Sequence, residues 1–171
     1  MNHLRLFTVP TPMPNVFETL WSTGMVVKGV VRSRMPPMED ARMAAEMAVA
    51  YHLLVERNVS GHNKTGAGLI LDFSGGVVRK LLREESEKPH LARYANFLRT
   101  RFLGCEIRVE NRHPDWATDD CYADLTDLVV AEPAVCCIDV PNLGPCELTG
   151  HAVDQFQARF GLPPVKIWSK F

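Results

Sequence analysis

Alanines at positions 41, 44, 45 and 48 recur at helical spacing within EDARMAAEMAVAYHLLVERN, and this stripe restricts the fold most tightly. Small side chains at i, i+3, i+4 and i+7 make one face of a helix flat and narrow. Such a helix can approach a sheet closely, as the core helix of an α/β domain must. Pro36 and Pro37 stand where a first helical turn accepts proline, and the helix is expected to run from there to about Asn58. Glu39, Arg42, Glu46 and Arg57 share the opposite face. Glu46 is the odd member, because Met43, Val49, Ala50 and Leu53 surround it at neighbouring helical positions. Its carboxylate either points into a cleft or is solvated or partnered at the surface.

Strand signals frame this helix. HLRLFTV (3–9) and GMVVKGVVRS (24–33) are Val-rich and bounded by Gly and Pro, and GLILDF (68–73) reads as a short buried strand before the turn Ser74-Gly75-Gly76. VVRKLLREE (77–85) suits a short helix or the returning arm of a hairpin. Leu91, Tyr94, Ala95, Leu98 and Phe102 form one apolar stripe over Pro89–Leu103, ended by Gly104, and CEIRVE (105–110) alternates as a strand does. CYADLTDLVV (121–130) fits a helix with Tyr122, Leu125, Leu128 and Val129 on one face, although its β-branched end allows a strand. AVCCIDV (134–140) reads as a strand and PNLGP as a turn. A last helix is expected between Thr149 as N-cap and Gly161 as stop, with Val153, Phe156 and Phe160 as its buried stripe.

The polar loop NVSGHNKTG (58–66) holds the letters of a phosphate loop in the wrong order, since that loop needs Gly-Lys-Ser/Thr. A turn with Asn63 or Gly66 at positive φ accounts for it.

The formal charge of −1 hides a segregation: residues 79–112 carry 9 basic and 5 acidic groups, whereas 113–132 carry 0 and 6. The first segment suits a phosphate backbone. Alternatively, its Glu84, Glu85 and Glu87 neutralise Arg79, Lys80 and Arg83 along a helix. Five cysteines in 171 residues argue against a disulfide framework, and no stretch approaches the roughly 18 apolar residues of a membrane span. The cytoplasm is the expected compartment, with no membrane partner. Cys136, Cys137, Cys146 and His151 are chemically able to bind zinc, but their spacing lacks the usual knuckle, and buried strand cysteines are the alternative. His151 with Arg159 has the chemistry of an acid/base and phosphate clamp, or else is an ordinary helix-start histidine.

The order of elements (strands, long helix, buried strand, basic segment, helix, strand, acidic segment) resembles the ribonuclease H-like superfamily over roughly residues 3–130. In that family a core helix carries a glutamate, matched here by Glu46 in AEMAVAYHLL. The next strand ends at an aspartate, matched by Asp72 in LILDFSGGVVRKL. A late helix carries another aspartate after a histidine loop, matched by His113 and Asp124 in RHPDWATDDCYADL. A basic stretch follows the family's middle strand, as residues 79–101 do here.

The resemblance implies an α/β fold, a mixed sheet flanked by helices over residues 1–132, with 133–171 a small strand-helix extension packed on the same core. It implies that Glu46, Asp72 and Asp124 are catalytic and hold Mg²⁺, two ions roughly 3.5–4 Å apart, if the protein is an enzyme. Otherwise no cofactor is expected. Nucleic acid, either RNA or DNA, would be gripped by Arg79, Lys80, Arg83, Lys88, Arg93, Arg99 and Arg101. The sequence departs from the family at two points. Residues 1–17 contain no acidic residue where the first strand should end in aspartate, and an Asp-Ser motif is drawn out to Asp72-Phe73-Ser74. If Ser74 takes the aspartate's place, two expected carboxylates are missing. The expectation is therefore a nucleic-acid-binding protein that is either a degenerate or a metal-dependent nuclease. The competing class is a non-catalytic interaction module whose acidic and basic surfaces meet a protein partner or a second copy.

Overall fold

A computed structural model describes residues 2–24, 27–61, 63, 65–135, 137–147 and 149–161. Three antiparallel strands come first: β1 (Asn2–Pro10), β2 (Val16–Thr23) and β3 (Val27–Arg34). Helix α1 (Ala41–Tyr51) follows and ends in a wider π-helical turn, His52–Glu56. Strand β4 (Leu69–Phe73), short helix α2 (Val77–Leu82), helix α3 (Ala92–Thr100) and strand β5 (Glu106–Val109) come next. Strand β6 (Leu125–Val129) follows a 3-10 turn, Asp119–Asp124. A separate hairpin of β7 (Cys137–Val140) and β8 (Gly144–Glu147) leads into α4 (Gly150–Phe160).

The main sheet has the order β5-β4-β1-β2-β3-β6. Strands β4 and β5 run parallel to β1, and β6 runs parallel to β3, so the sheet is mixed. Helix α1 packs on one face, and Ala41, Ala44, Ala45 and Ala48 are all buried there, as their spacing requires. Leu4, Leu6, Trp21, Val31, Leu69, Leu71 and Phe73 meet that helix from the sheet, and Leu91, Tyr94, Ala95, Leu98 and Phe102 complete the core from the α3 region. The other face is covered in part by the segment that leaves β5, crosses the strands and becomes β6. Its Trp116, Ala117 and Cys121 pack on Val9, Leu20 and Val30. The architecture is thus the mixed α/β sheet flanked by helices that the resemblance implies, with additional C-terminal elements.

Several local expectations are corrected. Strand β2 adds to the expected strands; most of its residues are buried, so it carries no apolar–polar alternation in the sequence. The two prolines lie before α1 rather than in its first turn, and the helix starts after Asp40, which takes a left-handed φ of 57°. Residues 121–130 form the end of a 3-10 turn and an edge strand, not a helix. Strand β8 takes up the end of the expected PNLGP turn. Thr149 caps α4 through its hydroxyl and Gly161 follows at φ 61°, but Phe160 is exposed. The side chains of Val153 and Phe156, and residue Cys136, lie outside what the structure describes. Cys137 pairs with Glu147 and Ile138 with Cys146, which puts Cys137 and Cys146 on opposite faces of the hairpin. Among the described residues, no helix is long and apolar enough to cross a membrane.

Candidate functional site

Glu46 projects from α1 into the core and is only 4% exposed. Its Oε1 accepts a hydrogen bond from the backbone N–H of Ser74 at 3.0 Å. The hydroxyls of Ser74 and of Thr8 on β1 also bond to this carboxylate. Thr8 in turn lies 2.9 Å from the hydroxyl of Thr19, and Arg42 donates to the Thr8 carbonyl at 3.1 Å. Burial pushes the Glu46 carboxyl up to about 7, against the hydrogen bonds from Ser74 and Thr8 and the nearby Arg42, which pull it down.

Asp72 is adjacent to this centre in sequence and remote from it in orientation. Leu69, Leu71 and Phe73 point into the α1-side core, so Asp72 points through to the other face. There His3 Nε2 lies 2.8 Å from Asp72 Oδ2. Arg5 and Arg108 stand beside Asp72 in register on the neighbouring strands β1 and β5. Asp72 Oδ1 is shielded from solvent and has no hydrogen-bond partner.

Asp124 lies beside β3, two strands from β1. Arg57 Nη2 reaches its Oδ2 at 3.2 Å, and the same guanidinium stacks 5.2 Å over the Trp21 ring. The structure therefore does not bring Glu46, Asp72 and Asp124 together: each is held by different partners, on two faces of the sheet and near its far edge. Around Glu46 the converging groups are hydroxyls and a backbone N–H. A pair of Mg²⁺ ions needs several anionic oxygens, so this donor set does not fit them. Among the described residues, no three His, Cys, Asp or Glu side chains are grouped so as to hold a metal ion.

The seven basic residues separate into groups. Arg79, Lys80 and Arg83 are exposed on and just after α2, and line a hollow of about 350 Å³ with Glu85, Val109 and Asn111. The hollow stands at the carboxyl ends of the parallel strands β4 and β5. Lys88 is tied to Asp40 at 2.5 Å, with His90 on the other carboxylate oxygen at 3.2 Å. Arg99 bonds to Glu84 at 2.7 Å, and Arg101 stacks 5.6 Å from the Phe102 ring. Arg93 and Arg99 line a second hollow, of about 260 Å³, with Glu147, Thr149 and His151.

Sequence reasoning missed Thr8, His3 and Arg57 as the partners of the three carboxylates. Strand parity was the available signal for Asp72: once β4 is placed, Leu71 and Phe73 take the α1 side and Asp72 the other, while Ser74 lies past the strand end.

No protein-family model matches the chain, and no curated protein does. Among solved structures, it is weakly similar to ribonuclease H1 from the halophilic archaeon Halobacterium salinarum NRC-1. The TM-score is 0.49 and the identity 17%, over 70% of this chain and 92% of that one.

Proposed function

We propose that this is a nucleic-acid-binding protein of ribonuclease H-like architecture, which grips a phosphate backbone and does not cut it by a two-metal route. The observation that carries the reading is the hollow formed by Arg79, Lys80 and Arg83. Three exposed cations on and just after one short helix, at the carboxyl ends of two parallel strands, suit successive phosphates. Against cleavage stands the Glu46 centre, where Thr8 and Ser74 occupy the ground that further carboxylates would need. The interaction-module reading is less favoured, because two of the six acidic residues of that segment are engaged internally. Asp120 pairs with Lys28 and Asp124 with Arg57, and Tyr122 donates to Glu18.

Fluorescence anisotropy with labelled single-stranded RNA, single-stranded DNA and an RNA–DNA hybrid tests the proposal. Affinity should be measurable near about 50 mM salt and fall steeply as salt rises, because bound phosphates release counterions. Replacing Arg79, Lys80 and Arg83 by alanine should lower both affinity and salt slope. Absence of binding at low salt would retire the reading, as would Mg²⁺-dependent cleavage abolished by Glu46→Gln for its non-catalytic part.

A further inference from the structure

The face of the sheet away from α1 carries a hollow of about 650 Å³, roofed by the segment that crosses from β5 to β6. Arg5 and Lys28 line it from the strands; Glu110, Asp115, Trp116 and Asp120 line it from the crossing segment. Lys28 is already committed, donating to Asp120 at 2.7 Å and to Thr118 at 3.2 Å. Among the described residues, the side chains of Arg5, Glu110 and Asp115 make no hydrogen bond or ion pair with another group. Beside that Lys28–Asp120 pair, the charged groups lining the hollow are one guanidinium and two carboxylates.

That set repels a phosphate and does not suit a simple cation either, because Arg5 stands in it. It suits a neutral planar group with N–H donors on one edge and lone pairs on another. Among the four bases, only guanine offers a carboxylate two parallel donors, N1–H and N2–H, while offering a guanidinium the acceptor pair O6 and N7. Flat surface is at hand, because Trp116 lines the hollow. The position relative to the basic hollow also fits. Val109 and Asn111 line the α2 hollow, and Glu110 between them lines this one. A single thickness of chain separates the groups suited to phosphates from those suited to a base.

We propose that this hollow is a guanine-binding subsite, with Arg5 on the O6/N7 edge and Asp115 with Glu110 on the N1/N2 edge. It rests on the nucleic-acid reading above and narrows it to single strands, since both edges of the base must be free.

The test compares anisotropy of a labelled uridine nonamer with the same oligomer carrying one central guanine. The guanine should tighten binding about tenfold or more. Arg5→Lys, which keeps the charge and loses the fork, and the pair Asp115→Asn with Glu110→Gln should each abolish that gain without weakening the uridine nonamer. Equal affinity for the two oligomers, with binding still dependent on Arg79, Lys80 and Arg83, overturns the subsite and leaves the backbone grip standing. If neither oligomer binds, the backbone reading fails, and nucleotide monophosphates judge the hollow separately. In ¹H–¹⁵N spectra, saturable shifts at the Arg5 and Trp116 side chains with guanosine monophosphate, exceeding those with the other three, support it. Their absence, or equal shifts with all four, overturns it.

Discussion

The Glu46 carboxylate ends at the Ser74 backbone N–H, 3.0 Å away, while Asp72, two residues earlier, bonds to His3 on the far side of the sheet. One strand end thus separates a buried carboxyl, its titration pushed up to about 7, from a paired aspartate.

Glu46 should make stability fall with rising pH. Its carboxyl sits at about 7 in the folded chain and near 4.5 unfolded, so between those values the folded state holds the proton that the unfolded state has lost. The favourable contribution is complete below about 4.5 and gone above about 7, a difference on the order of 3 kcal/mol. Urea unfolding at pH 5 and pH 8 should display this decline, and Glu46→Gln should flatten it. A Glu46→Gln variant with the same decline would show that another group sets it.

Gly29 should tolerate no side chain. A Cβ there would meet the Asp124 carbonyl oxygen at 2.8 Å and Trp21 Nε1 at 2.9 Å. The neighbour that must give is partly backbone, so Gly29→Ala should push the 3-10 turn off β3 and destabilise the fold by about 1–3 kcal/mol. Denaturant melts measure the cost. Increased hydrogen exchange confined to residues 119–129 would locate it.

Asp40 holds the chain between α2 and α3 onto the start of α1, through Lys88 and His90. The hydrogen bond from Lys88 foremost, and then its charge and His90, hold the Asp40 carboxyl below its usual range. The stabilisation is therefore present above about pH 4 and lost as the pH falls through the lowered value. Asp40→Asn tolerates the left-handed backbone and removes the charge. It should speed hydrogen exchange over residues 84–91 at pH 7, and that gain should shrink in acid.

Within the α2 hollow, single substitutions of Arg79, Lys80 or Arg83 should each lower the salt slope of nucleic-acid binding by roughly one unit. Lys88→Ala should change it less, because that ammonium is already neutralised by Asp40. A larger effect at Lys88 than at Arg83 would move the backbone path away from α2.

The elements with one clean buried face were legible in the sequence: the alanine stripe of α1, the stripe of the α3 region and the short apolar run of β4. Strand β2 was not, because Thr19 and Ser22 are buried on it beside Leu20 and Trp21, and a strand enclosed from both sides loses its period of two. In residues 121–130, Tyr122, Leu125, Leu128 and Val129 match helical spacing by accident. What decides that segment is the open edge of β3, a partner distant in sequence. The candidate site was half legible for the same reason. Glu46 stood out as a carboxylate among apolar neighbours. Whether Asp72 would face it depended on strand parity, since a slip of one residue reverses every side chain, and Ser74 meets it through a backbone N–H just past the end of β4.

The chain leaves the sheet at one edge, β5, and re-enters at the other, pairing Val30 of β3 with Leu125 of β6. Closing so long a loop brings no reward until its far end docks, so β6 should be the last strand to form and the first to detach. As the chain emerges from the ribosome, β3 has an unpaired edge, and Leu20 and Val30 lack their cover, until the residues through 129 are out. During that interval the nascent sheet is a template for another chain, which makes misassembly during synthesis, more than loss of the finished fold, the hazard this topology carries.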